Sequence, residues 1–167
     1  MLLQTREIEI SNCTFANIIH GPMQIFSVRN EYKEGMMPKD VLIKNNKYLS
    51  NAGGDINVFV QGSSGSVPVG VIKNVRAENN FIYGAANASI SYSGAGGTST
   101  IKNNLVAYSG NISISYSTGV TIAGNTVVDT SQKATYSTGS GNGSISDGGS
   151  NTATKLSKPS IIYDSRK

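Results

Sequence analysis

The sequence predicts an all-β chain folded as a right-handed parallel β-helix, a solenoid of about five Asn-turn coils with a Gly/Ser-rich C-terminal segment. Three observations lead there. A pattern of aliphatic, any, aliphatic, any, Asn, Asn, any, apolar recurs as IEISNCTF, VLIKNNKY, VRAENNFI, STIKNNLV and VTIAGNTV, with departures at single positions. Two segments between the copies, ASISYS and ISISYS, are nearly identical. No stretch carries the 3.6-residue apolar period of an amphipathic helix.

The copies align on Ile10, Ile43, Ala77, Ile101 and Ile122, so successive copies lie 33, 34, 24 and 21 residues apart. A period of this size implies a solenoid, in which each coil buries its apolar side only against its neighbours. Within a copy, pairs such as Ile8 and Ile10, Val41 and Ile43, or Val120 and Ile122 alternate with polar residues. That spacing puts both side chains on one face of a strand. The Asn pair then turns the chain, because Asn tolerates the left-handed conformation. Its second member forms a column of Asn46, Asn80, Asn104 and Asn125, with Cys13 in the first copy. Side-chain amides stacked in this way can bond from coil to coil. Cys13 is expected to pack inside as a small hydrophobe. A second strand lies between copies, at Gln24–Val28, Ile56–Val60, Ala88–Ser93 and Ile112–Ser117. ASISYS and ISISYS would point Ile90 and Ile114 inward, with Tyr92 and Tyr116 on the same face two residues later.

The motifs IKNN and IAGN, with the alternation before them, resemble the parallel β-helix repeat of pectate lyase-like enzymes and phage tailspike proteins. The resemblance runs from about Ile8 to Val128. It implies the solenoid fold and, for the tailspike branch, a homotrimer. It says little about activity, because one fold hosts many.

Domain organisation is expected as a β-helix over 1–129 and a Gly/Ser/Thr-rich segment over 130–167, flexible or ordered by oligomerisation. Ser144–Ser146 and Ile161–Tyr163 are possible short strands within it. Two insertions, Arg29–Asp40 and Gln61–Gly70, have loop composition and should leave the solenoid at equivalent places. The first copy begins near Met1, so the first coil is expected to lack a cap, and an open edge favours association.

Composition narrows the function. Charged residues make up 14% of the chain and the formal net charge is +4. Lys and Arg are scattered along the sequence with no dense basic run, which argues against nucleic acid. No apolar run reaches membrane-spanning length, so no membrane partner is expected. The start MLLQTREIEI lacks the form of a signal peptide, and a virion or another extracellular location would need a different route. Cys13 is the only cysteine, which excludes an intrachain disulfide and makes a Cys-based metal site unlikely.

Carboxylates are the catalytic candidates, since glycosidases use them in pairs and β-helix lyases use carboxylate-bound calcium or a basic residue. Asp55 and Glu78 lead, Asp55 following a Gly pair and Glu78 preceding an Asn pair. No calcium motif of fixed spacing occurs, so the sequence predicts no dedicated metal site, although calcium is compatible with the family resemblance. Lys73 and Arg76 are weaker candidates for a lyase base, because Arg rarely gives up its proton. The single histidine, His20, lies in IIHGP just before a turn. Alignment of the copies stacks Glu78 between Lys44 and Lys102, where opposite charges support a sheet. Lys44, Lys102, Tyr32, Arg29 and Gln61 are the predicted binding residues. The expected function is a virion-type tailspike or tail fibre that binds surface polysaccharide. A polysaccharide lyase or glycoside hydrolase, and a passive scaffold module, are the alternatives.

Overall fold

The computed structural model describes residues 2–3, 6–29, 37–62, 68–129 and 135–157. These residues form β-strands joined by turns, with no helix among them. Numbered in chain order, the strands make three parallel sheets. Sheet A contains β1 (Leu2–Leu3), β4 (Met23–Arg29), β7 (Ile56–Gly62), β10 (Ala88–Ser93), β14 (Gly110–Ser115) and β17 (Tyr136–Thr138). Sheet B contains β2 (Arg6–Ser11), β5 (Lys39–Lys44), β8 (Ile72–Glu78), β12 (Thr100–Lys102), β15 (Val120–Ala123) and β18 (Ile145–Asp147), with β11 (Ala95–Gly96) beside β8. Sheet C contains β3 (Thr14–Ala16), β6 (Lys47–Leu49), β9 (Phe81–Tyr83), β13 (Leu105–Ala107), β16 (Thr126–Asp129) and β19 (Thr152–Lys155). The chain visits B, C and A in turn, which is the path of a parallel β-solenoid.

The predicted aliphatic column is present. Ile10 pairs with Ile43, Ile43 with Ala77, Ala77 with Ile101, and Ile101 with Ile122. All five are buried. Sheet A contributes Ile25, Val58, Tyr92 and Ile114 in a second interior column. Sheet C contributes Phe15, Tyr48, Ile82, Val106 and Val127, with the Phe15 and Tyr48 rings stacked at 5.1 Å. Burying one such side chain stabilises the fold by roughly 1.5–3 kcal/mol.

The Asn pair divides its work as the residue types require. The first position is left-handed: Asn12, Asn45, Asn79 and Asn103 have φ of 55–56°. Gly124 takes this position in the fifth copy with φ 65°. A Cβ at Gly124 would collide with the Asn103 Oδ1. The second position forms the ladder. Asn80 Nδ2 donates to Ile43 O at 3.0 Å in one direction and to Asn104 Oδ1 at 3.0 Å in the other. Asn46, Asn104 and Asn125 repeat both bonds. Each of these amides is buried, so an unmade bond would cost about 1–3 kcal/mol.

Three expectations change. The boundary at 129/130 does not divide the strands. β17, β18 and β19 continue the three sheets on β14, β15 and β16 of the same chain, and Asn151 adds a rung to the ladder. The described strands at 136–155 thus continue the sheets, and the expected strand at Ser144–Ser146 corresponds to β18. The expected strand at Ile161–Tyr163 lies outside the described residues. Second, Ile90, Ile114 and Tyr92 are buried as expected, but Tyr116 is not part of the core. Ile90 pairs with Ile112 and Tyr92 with Ile114. This offset of two residues between the matching segments keeps every side chain on its face, but it carries Tyr116 past the strand end into a turn with φ 47°. Third, the Cys13 backbone N–H joins the ladder through Asn46 Oδ1 at 2.9 Å, yet its side chain is exposed. It lies in the first coil of sheets B and C among the described residues.

Candidate functional site

The outer face of sheet B carries most of the charged side chains of the described strands. It is built by register. Ser11, Lys44, Glu78, Lys102 and Ala123 follow one another across the strands in one outward row. The predicted stack of Lys44, Glu78 and Lys102 is thus present, each residue half-buried. Their bonding differs from the simple alternation expected. Lys44 Nζ pairs with Glu9 Oε1 at 3.0 Å, diagonally across the strands. Glu78 Oε1 instead accepts a hydrogen bond from Thr100 Oγ1 at 3.0 Å. A long lysine has several reachable carboxylates, and the more exposed pair forms without burying the head group.

A second column lies at the start of the same strands, where Arg6 pairs with Lys39 and Lys39 with Lys73. All three are exposed. Next to Lys39, Asp40 takes the left-handed position with φ 58° and lies 3.3 Å from the lysine ammonium. Asn74 Nδ2 donates to Asp40 Oδ1, which, with Lys39 and Arg6 close by, holds this carboxyl below its usual range. The sequence reading treated the cations as scattered. The signal was nevertheless available: Arg6, Lys39 and Lys73 each stand four residues before an aligned column residue, Ile10, Ile43 and Ala77.

Asp55 does not join this face. It is fully buried between sheets C and A, on the interior side of the wall. Asn51 Nδ2 donates to its Oδ1 at 2.7 Å, while its Oδ2 has no hydrogen-bond partner. Burial pushes the Asp55 carboxyl up to about 6, opposed by the Asn51 bond. The buried Tyr48 hydroxyl is likewise unpartnered, and burial followed by the nearby Asp55 charge pushes its pKa up. Asp55 and Glu78 therefore do not form a pair of carboxylates facing one bond. Asp55 has no surface with which to touch a polymer.

The loop residues are less accessible to description. Arg29 ends β4 and pairs with Gly62, and Gln61 precedes Gly62 in β7. The two insertions thus depart from equivalent places on neighbouring strands, as expected. Tyr32 lies outside the described residues, as do 30–36 and 63–67. His20 is exposed. Among the described residues, no three His, Cys, Asp or Glu side chains come together as a metal-binding group.

The outer face of sheet C has a different character. Leu49, Phe81, Tyr83 and Val128 are half-buried there, and Leu105 is 41% exposed. The Tyr83 and Tyr108 rings meet edge to face at 5.7 Å. One wall of the solenoid is charged and the adjacent wall is apolar. Comparison with protein-family models, curated proteins and solved structures finds no match to this chain.

Proposed function

We propose that the chain is a polysaccharide-binding solenoid, a right-handed parallel β-helix of the tailspike or tail-fibre kind, displayed on a virion or another extracellular surface. The observation that carries this reading is the outward row of Ser11, Lys44, Glu78 and Lys102. Such a row sets polar groups at intervals of about 4.8 Å on a rigid wall. A chain-like ligand of repeating hydroxyl and charged groups matches that geometry, and a small compact ligand does not. Right-handedness follows from the general preference of parallel crossover connections. A homotrimer is favoured by the apolar outer face of sheet C, since exposed apolar patches mark association surfaces.

A cleaving enzyme is the second reading. Glu78 is the carboxylate on the proposed binding face that such a reaction would use, with Lys73 and Arg76 on the same strand. Hydrolysis by a carboxylate pair would need a second acid across the scissile bond, and the burial of Asp55 removes the leading candidate.

The test is a panel of bacterial surface polysaccharides, scored for binding and for new chain ends, beside a measurement of mass in solution. Binding without cleavage by a trimer is the expected result. Failure to bind any polysaccharide would overturn the proposal, new chain ends would turn it to the enzyme reading, and a monomer would remove the trimer.

A further inference from the structure

The charged face changes along the solenoid. In the first two coils the acids answer the cations: Lys39 lies 3.3 Å from Asp40, and Lys44 lies 3.0 Å from Glu9. In β8 the equivalent positions have changed. Asn74 stands in line with Asp40, and Arg76 stands one residue before Ala77 as Glu9 stands before Ile10. Two acids have thus given way to an amide and a cation. Among the described residues, no carboxylate lies within ion-pair distance of Lys73, Arg76 or Lys102. Glu78 is the acid among them, and its Oε1 is taken by the Thr100 hydroxyl.

This arrangement works against the sheet. Lys73 is directly paired with Lys39, and like charges facing each other across strands destabilise a sheet. Lys73 and Arg76 are exposed and Lys102 half-buried, so all three head groups can reach a ligand on the surface.

We infer that the outer face of β8 and β12 is an anion-binding surface for an acidic polysaccharide, whose negative groups engage Lys73, Arg76 and Lys102. This rests on the reading of the chain as a polysaccharide binder and names the chemical class it takes. Charge complementarity selects the ligand, because these three cations make no ion pair among the described residues, Arg76 sensing the more distant Glu9 carboxylate, and gain from an external anion. The polymer runs across the strands, along the solenoid, where successive coils offer cations at strand spacing. Nucleic acid is also a polyanion, but its bases need aromatic platforms when single-stranded. No aromatic residue occurs in strands β2, β5, β8, β12, β15 or β18.

The experiment measures binding of the full chain to three probes: a uronic-acid oligosaccharide, a neutral dextran of equal length and an oligothymidylate. The same probes are offered to the double variant Lys73→Gln/Arg76→Gln and to the control Lys155→Gln, after melting curves establish that each is folded. The uronic-acid probe should bind the unaltered chain most tightly. Its affinity should fall about ten-fold or more in the double variant, and should weaken as salt rises, because exposed charge pairs are screened. The control should bind normally. Dextran bound as tightly as the uronic-acid probe, with no salt dependence, would overturn the acidic class and leave polysaccharide binding standing. Unchanged uronic-acid affinity in the double variant would overturn the assigned residues. Tighter binding of oligothymidylate than of either sugar, or no binding of either sugar, would overturn both readings.

Discussion

The two ends of the solenoid finish the same interior columns in opposite ways. At the N-terminal end, Ile8 and Phe15 are partly buried against the core, so these interior positions remain apolar. At the C-terminal end two of the columns turn polar, while Tyr136 and Ile145 still pack against the core. Ile122 pairs with Asp147, Ile114 with Thr138, and Val127 with Ala153. Asp147 takes a hydrogen bond from the Tyr136 hydroxyl at 3.0 Å, from Gly149 N at 2.8 Å and from Asn151 Nδ2 at 2.9 Å. A carboxylate so supplied is satisfied while facing water. In the last described coil a carboxylate in an interior column is met by hydrogen bonds, whereas Ile8 and Phe15 in the first are apolar. A polar terminal coil meets solvent, and an apolar one seeks another surface.

The largest test of this contrast places the end residue in the middle. Ile101→Asp puts a carboxylate in the same column as Asp147 but between Ala77 and Ile122, where it has neither water nor donors. Destabilisation of more than about 4 kcal/mol is expected, enough to prevent folding. A normal melting temperature would show that the middle of the column tolerates charge as the end does. The ladder gives the next largest effect. Asn104→Ala removes a buried rung and orphans donors on Asn80 and an acceptor on Ala77, for a cost of roughly 2–4 kcal/mol. Asn151→Ala, in the terminal coil, should cost less than about 1 kcal/mol because water replaces its bonds. Equal losses in denaturant titrations would erase the distinction between middle and end.

The two carboxylates also predict opposite responses to pH. Asp55 has its folded pKa raised to about 6, chiefly by burial. Its stabilising contribution is therefore full below the ordinary carboxylate range and is lost as pH rises through about 6. Asp147 is the reverse. Its hydrogen bonds, that from Gly149 first, lower its pKa, so its contribution is present at neutral pH and lost on acidification. Asp55→Asn should raise stability at neutral pH by roughly 1–3 kcal/mol and flatten the profile between about pH 4 and pH 6. An unchanged profile would mean that Asp55 is solvated. The smallest change in monomer stability is expected from Asp147→Ile, because Asp147 is exposed, but the aliphatic side chain in this column should promote association. Sedimentation of that variant identical to the parent would show that Asp147 does not keep the end soluble.

The sequence showed the middle of this molecule better than its end. The column from Ile10 to Ile122 and the ladder from Asn46 to Asn125 repeat one spacing, and that spacing is what the strand and the left-handed turn require. The rung at Asn151 was hidden for two physical reasons. Asp147 replaces the aliphatic residue, and Asn151 follows it by four residues where Asn125 follows Ile122 by three. Tyr116 was misplaced because the likeness of ASISYS to ISISYS hid the two-residue offset set by strand pairing. Of the candidate surface, Lys44, Glu78 and Lys102 were legible from the aligned copies. The lack of an ion pair to Lys73 or Arg76 among the described residues was not, since it depends on which side chains meet. Neither was the burial of Asp55, which follows a Gly pair in a stretch that reads like a surface loop.

The ladder also bears on how the chain is made. Each Asn bonds to the coil before it and to the coil after it, across intervals of 21 to 37 residues. A coil emerging from the ribosome thus meets a finished edge made by its predecessor, and needs nothing from sequence still to come in order to dock. Folding can proceed as templated addition in step with synthesis, each coil presenting the amides that position the next.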